Sequence, residues 1–208
     1  MSGRESILAR LRAARRDVTP VAVRVGNPVR GPAPRPCADL VDCFSTRAGK
    51  LATTVARVAD FSAVPAEVAR YLDAQGLPRR LAAWPEFAQL PWQGVGIDVF
   101  FRPVLADDPV GLTGAFAAIA ETGSVMVISG ASTPATTSLL PETHIAVVPV
   151  ARIVATLEEA FALLRRETPA WPRAVNLISG PSRTADIEQT VTLGAHGPYR
   201  VHVILVGP

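Results

Sequence analysis

The sequence predicts a three-layer α/β/α sandwich built on a largely parallel sheet of about seven strands. Two observations carry that expectation. Apolar runs alternate with helical patterns along most of the chain. Several of those runs (residues 125–128, 145–148 and 201–206) are apolar almost without a break. Strands read this way when they are buried on both faces, as in a parallel sheet covered by helices. With 208 residues, 49% hydrophobic and 19% charged, the chain suits one substantial core rather than a disordered or fibrous molecule.

The elements follow in order. Ser6 can cap a short helix, with Ile7, Leu8 and Leu11 on one face and Arg10, Arg12, Arg15 and Arg16 on the other. Three apolar anchors are few for a membrane helix, so docking on its own domain or a second subunit is expected. Residues 19–38 hold five prolines and read as an extended arm, with room for a short strand at 21–25. The predicted organisation is therefore a helix and Pro-rich arm over residues 1–40, then one α/β domain over 41–208.

Within that domain the β-branched run 53–58 predicts a strand, and Ser62 a cap for a helix that reaches Gln75 and ends at Gly76. Residues 80–84 and 97–104 are strand candidates, with 85–96 as loop between them. Thr113 is expected to cap an Ala-rich helix ending at Ala120. Strands are predicted at 124–129, 145–150, 174–178 and 200–206, and helices at 157–166 and 185–193. No internal repeat is present.

Charge and cysteine usage exclude several function classes. The net charge of +3 rests on arginine, since Lys50 is the only lysine. The basic residues are scattered except at 10–16, and aromatic residues make up 6%, so no nucleic-acid surface is expected. Cys37 and Cys43, five residues apart in the intervening count, match neither a zinc site nor a Cys-x-x-Cys pair. Two free thiols in a reducing cytoplasm are the expectation. The first residues have no apolar signal core, and no apolar run approaches the roughly 20 residues of a membrane span. A cytoplasmic location without a span is therefore expected.

Candidate chemistry concentrates where strands end. Ser179, Gly180, Ser182, Arg183, Thr184 and Asp186 follow an apolar strand and open the helix expected at 185–193. Backbone amides there, the helix dipole and Arg183 would suit a phosphate or carboxylate. Asp186 and Glu188 oppose an anion, and the alternative is a plain helix cap paired with Arg183. His196, in a turn between Gly194 and Gly197, is the histidine best placed for catalysis or ligand contact, beside the alternative of a satisfied turn residue. His144 and His202 lie at or within apolar strands and read as packing residues.

Glu121 precedes a buried strand and leads into Thr122, Gly123 and Ser124. In a cleft it would suit acid–base or nucleophilic work, and otherwise it is an ordinary helix-terminal carboxylate. A metal would need Asp186, Glu188 and His196 to converge, and none is assigned. No dinucleotide fingerprint, Walker loop or nucleophile elbow occurs.

The segments Ala120-Glu-Thr-Gly-Ser124, Leu139-Leu-Pro-Glu-Thr-His-Ile145, Ser179-Gly-Pro-Ser-Arg-Thr-Ala-Asp-Ile-Glu188 and Gly194-Ala-His-Gly-Pro198 resemble the lactate-utilisation protein C family, whose core is the LUD domain. The resemblance runs from about residue 40 to residue 208, and the N-terminal helix also fits. It departs at Thr136 and Thr137, in a stretch where many relatives are expected to carry an arginine. It implies a fold like those of glucosamine-6-phosphate deaminase, ribose-5-phosphate isomerase and CoA transferases.

The resemblance also implies a role beside iron–sulfur proteins in oxidising L-lactate to pyruvate. With two cysteines this chain is expected to be an accessory, non-cluster-bearing component with a small-anion or cofactor pocket. The pocket wall would be Thr113, Glu121 to Ser124, Ser179 to Asp186 and His196. No cofactor is identified. The alternative is a stand-alone enzyme on a sugar-phosphate, folate-like or CoA-linked substrate, with Glu121 or His196 as its acid–base group.

Overall fold

The computed structural model describes residues 3–16, 37–184, 192–193 and 197–208. The chain divides into two units, residues 1–33 and 34–208. In the first, helix α1 spans Gly3–Arg16, so Ser6 lies inside the helix and does not cap it. The expected strand at 21–25 and nearly all of the arm fall outside the described residues.

The larger unit begins with helix α2, Leu40–Lys50. Its cap is Asp39, whose carboxylate accepts from the amides of Val41 (2.8 Å) and Asp42 (3.1 Å). The chain turns at this cap, and Cys37 folds back beside the first helical turn. There it forms a disulfide with Cys43, the two Cα atoms 6.2 Å apart. This corrects the expectation of free thiols: the pairing depends on the cap turn, which cysteine spacing does not disclose.

Six strands then build one fully parallel sheet. They are β1 (Thr53–Val58), β2 (Arg80–Ala83), β3 (Asp98–Phe100), β4 (Val110–Gly114), β7 (Thr143–Pro149) and β12 (Arg200–Val206), in the order β1-β12-β7-β4-β2-β3. A second sheet has the order β8-β5-β6-β9, from β5 (Ala117–Ile119), β6 (Ser124–Ile128), β8 (Ile153–Val154) and β9 (Val175–Ile178). Helix α3 (Val64–Ala74) packs on β1 and β12, α4 (Thr136–Leu139) on β4 and β7, and α5 (Leu157–Glu167) on β5 and β8. The fold class is the predicted three-layer α/β/α sandwich with a largely parallel sheet. No described helix is long and apolar enough to cross a membrane.

Three local expectations change. Asp60, not Ser62, caps the turn Phe61–Ala63 that leads into α3. The region around Thr113 forms strands β4 and β5 in place of an Ala-rich helix. Every residue of both strands is buried, and Gly111 lies so close to the Thr137 carbonyl of α4 that a Cβ would overlap it. Close packing thus overrides alanine's helix propensity. The helix expected at 185–193 fails at its end, because β11 (Thr192–Leu193) pairs antiparallel with β10 (Arg183–Thr184). Residues 185–191 lie outside the described set.

The central strands are buried on both faces, where an unpaired polar side chain is costly, and two pairs of polar side chains meet within the protein. Thr113 Oγ1 and His144 Nε2 lie 2.8 Å apart, and Thr54 Oγ1 and His202 Nδ1 also 2.8 Å. His202 stacks on Tyr71 at 4.0 Å between ring centroids, with Glu67 Oε1 3.4 Å from Nε2. Burial pushes His144 down to about 3 and His202 to about 4; for His202, Glu67 opposes that shift without cancelling it. Both histidines are packing residues, as the sequence predicts.

The second sheet meets α2 at a joint made by two glycines. Gly123 (φ 68°) leads into β6 and packs on the backbone of Arg47 and Ala48, while Gly180 (φ 91°) follows β9 and packs on Leu51. A Cβ at either position would overlap that backbone, and the positive φ adds strain. Ser124 Oγ and Ser179 Oγ, 2.6 Å apart, link the two segments, and Arg47 donates to the Ala120 carbonyl at 3.2 Å.

Two predictions follow from this packing. Gly180→Ala lowers unfolding free energy by at least about 2 kcal/mol in urea titrations, whereas Gly94→Ala, with open space around it, changes it by under about 0.5 kcal/mol. Secondly, both buried histidines titrate below their ordinary value of 6.5, so their contribution is complete above pH 6.5. It is lost as pH falls towards 4 and then 3, by about 1.4 kcal/mol per pH unit for each histidine. The thermal midpoint therefore falls between pH 6.5 and 4.5, and His144→Gln makes the fall shallower.

Candidate functional site

All six strands of the main sheet are parallel, so their carboxyl ends share one edge. Open α/β sheets take ligands beyond that edge. Here a cavity of about 330 Å³ lies among residues just past β1, β2 and β4 and at the end of β7. Its walls include Phe61, Phe87, Leu90, Val147 and Pro149, with the Gly114 and Ala115 backbone between them. Among the described residues, Glu86 is the one charged side chain of the lining.

The local sequence explains why Glu86 is there. Trp84 continues the ladder past β2, its amide donating to the Leu112 carbonyl at 3.1 Å. It is held extended before Pro85, as residues ahead of proline are. The 3₁₀ turn Pro85–Phe87 then carries Glu86 over the end of β4. Although Glu86 is exposed as a residue, its carboxylate lies against Gly114, where a Cβ would overlap Oε1. Desolvation raises its pKa above the ordinary glutamate value, and the Gly114 amide offsets part of that rise. A second hollow, open and about 750 Å³, flanks the outer strand β3 beside Trp92 and Phe100.

The described residues singled out by sequence fall in four places. Thr113 is fully buried inside the main sheet and bonded to His144, so it presents no surface to a ligand. Glu121 accepts from the Leu157 amide at 2.7 Å at the start of α5, a capping arrangement, and Thr122 is exposed beside it. Gly123, Ser124, Ser179 and Gly180 form the joint against α2.

The remaining candidates cluster at the following turn. The Ser182 amide donates to the Pro198 carbonyl at 2.9 Å, which brings the turn at Gly197 beside Ser182. Arg183 is exposed and starts β10, and Thr184 is in that strand, so neither opens a helix. Asp186, Glu188 and His196 lie outside the described residues. The structure thus joins Ser124 to Ser179 and Ser182 to the turn at 197–198, while Thr113 and Glu121 are engaged elsewhere. Among the described residues no group of three His, Cys, Asp or Glu side chains could hold a metal ion.

Sequence reasoning missed Glu86. Its signal is an acid two residues beyond an apolar strand, at the edge where such sheets take ligands.

The comparisons with known proteins agree with this architecture. The LUD domain model matches residues 98–206. Lactate utilization protein C of Exiguobacterium sp. is 42% identical over 101 residues, covering 47% of this chain and 44% of that protein. Lactate utilization protein C of Bacillus subtilis is 38% identical over 100 residues, covering 47% and 42%. That of Bacillus licheniformis is 35% identical over 129 residues, covering 59% and 53%.

The chain spans about half the length of the curated relatives it matches. A crystal structure of a DUF162 family protein from Deinococcus radiodurans superposes with a TM-score of 0.61 and 26% identity, covering 82% of this chain and 98% of that one. With more than half of its residues inside the LUD domain match, the chain belongs to the LUD domain family.

Proposed function

We propose that this chain works in lactate utilisation, as a component without an iron–sulfur cluster in a system that oxidises L-lactate to pyruvate. The supporting observation is its 35–42% identity to proteins named lactate utilization protein C in three bacteria. Its partners in this reading are iron–sulfur proteins, which supply the electron carriers. The chain has two cysteines and cannot itself provide four thiolates.

Its own contribution is a small-ligand site. The carboxyl edge of the main sheet supports this reading, because it combines a cavity with a desolvated carboxylate. A small-anion contact at Arg183, exposed beside the turns at Ser182 and Gly197, belongs to the same proposal. So does the kinship of fold with glucosamine-6-phosphate deaminase, ribose-5-phosphate isomerase and CoA transferases.

Deletion of the gene tests the proposal. The expected result is loss of growth on L-lactate as sole carbon source, restored by the wild-type gene and accompanied by recovery of iron–sulfur proteins with the tagged chain. Normal growth of the deletion strain on L-lactate would overturn it.

A further inference from the structure

The cavity at the carboxyl edge has a composition that specifies its ligand. Two phenyl side chains line it: Phe87, 4% exposed, and Phe61, which leaves 43% of its surface open. Aliphatic surface from Leu90, Val147 and Pro149 completes the wall. Among the described residues the lining holds one carboxylate and no arginine, lysine or histidine.

We propose that this cavity binds a small organic cation, an ammonium group on an apolar body, with Glu86 as its counter-ion. The volume of about 330 Å³ sits at the lower end of the range for small-molecule sites, which sets the size class. An anion placed here would lose its water and meet a second negative charge, with no cation among the described lining residues to offset either. A cation gains a charge-assisted hydrogen bond to Glu86, and its apolar body gains contact with two phenyl side chains.

The geometry at Gly114 holds the carboxylate in place. Oε1 rests where a side chain at position 114 would put its Cβ, so only glycine lets the carboxylate settle over the end of β4. The carboxyl group also stands where ionisation is disfavoured. A bound cation favours the charged form and so opposes the upward shift that desolvation gives this carboxyl. This inference rests on the small-ligand site of the proposed function and names its ligand class, but its argument uses the lining of one cavity and no relative.

The test uses three probes of nearly equal size (benzylamine, benzyl alcohol and benzoate) titrated into the full chain and followed by amide NMR shifts. Benzylamine is expected to bind at least about tenfold more tightly than the other two, with shifts centred on Gly114, Ala115 and Val147. Glu86→Gln is expected to weaken benzylamine by about tenfold and leave benzyl alcohol unchanged. The unperturbed amide spectrum of that variant shows that it folds. Gly114→Ala, which displaces the carboxylate, weakens benzylamine in the same way. Three outcomes would overturn the proposal: benzoate binding as well as benzylamine, no loss in Glu86→Gln, or shifts that map away from the carboxyl edge. Because growth on lactate enters none of these readouts, the lactate proposal and this one fail separately.

Discussion

Burial of the central strands on both faces is the constraint from which most of this structure follows. β4 and β7 carry side chains with almost no access to water, and β12 is nearly as closed. A polar group in such a place is costly without a partner in the protein, and Thr113–His144 and Thr54–His202 are two such partnerships. The same burial leaves no room for a ligand within the sheet. Glycine at position 111 lets α4 seat directly on β4. What the packing leaves open is the edge where all six strands end, and there Glu86 is turned back over Gly114.

The glycine-rich segments that look most like a binding loop in the sequence serve a different purpose in the fold. Gly123 and Gly180 sit at positive φ against the backbone of α2 and Leu51, and the hydroxyls of Ser124 and Ser179 tie the two segments together. This joint fixes the second sheet to the first helix of the larger unit. Glu121 takes part by accepting from the Leu157 amide, which orients the start of α5. Residues of unusual type were needed here because the backbones approach closely.

How much was legible in the sequence varied with the physics of each segment. β1 and β12 could be read to the residue, because a β-branched or continuous apolar run between turn signals has few other solutions. α5 was nearly as clear, expected at 157–166 and found at Leu157–Glu167. Residues 113–120 misled, since an Ala-rich run favours a helix until tertiary packing fixes the preceding Gly111 against α4. The Cys37–Cys43 pairing was hidden because it depends on the turn at Asp39. Glu86 was hidden for a related reason: nothing around Trp84-Pro85-Glu86-Phe87 marks a site until the parallel order of β2, β4 and β7 is known.

The central claim is that the carboxyl edge presents a desolvated carboxylate at Glu86, poised for a ligand. Titration of the Glu86 carboxyl carbon by NMR in the free protein, assigned by comparison with Glu86→Gln, measures this directly. The account predicts a midpoint above the ordinary glutamate value of 4.5, because desolvation outweighs the Gly114 amide. A midpoint at or below 4.5 would show a well-solvated or already paired carboxylate and would contradict it.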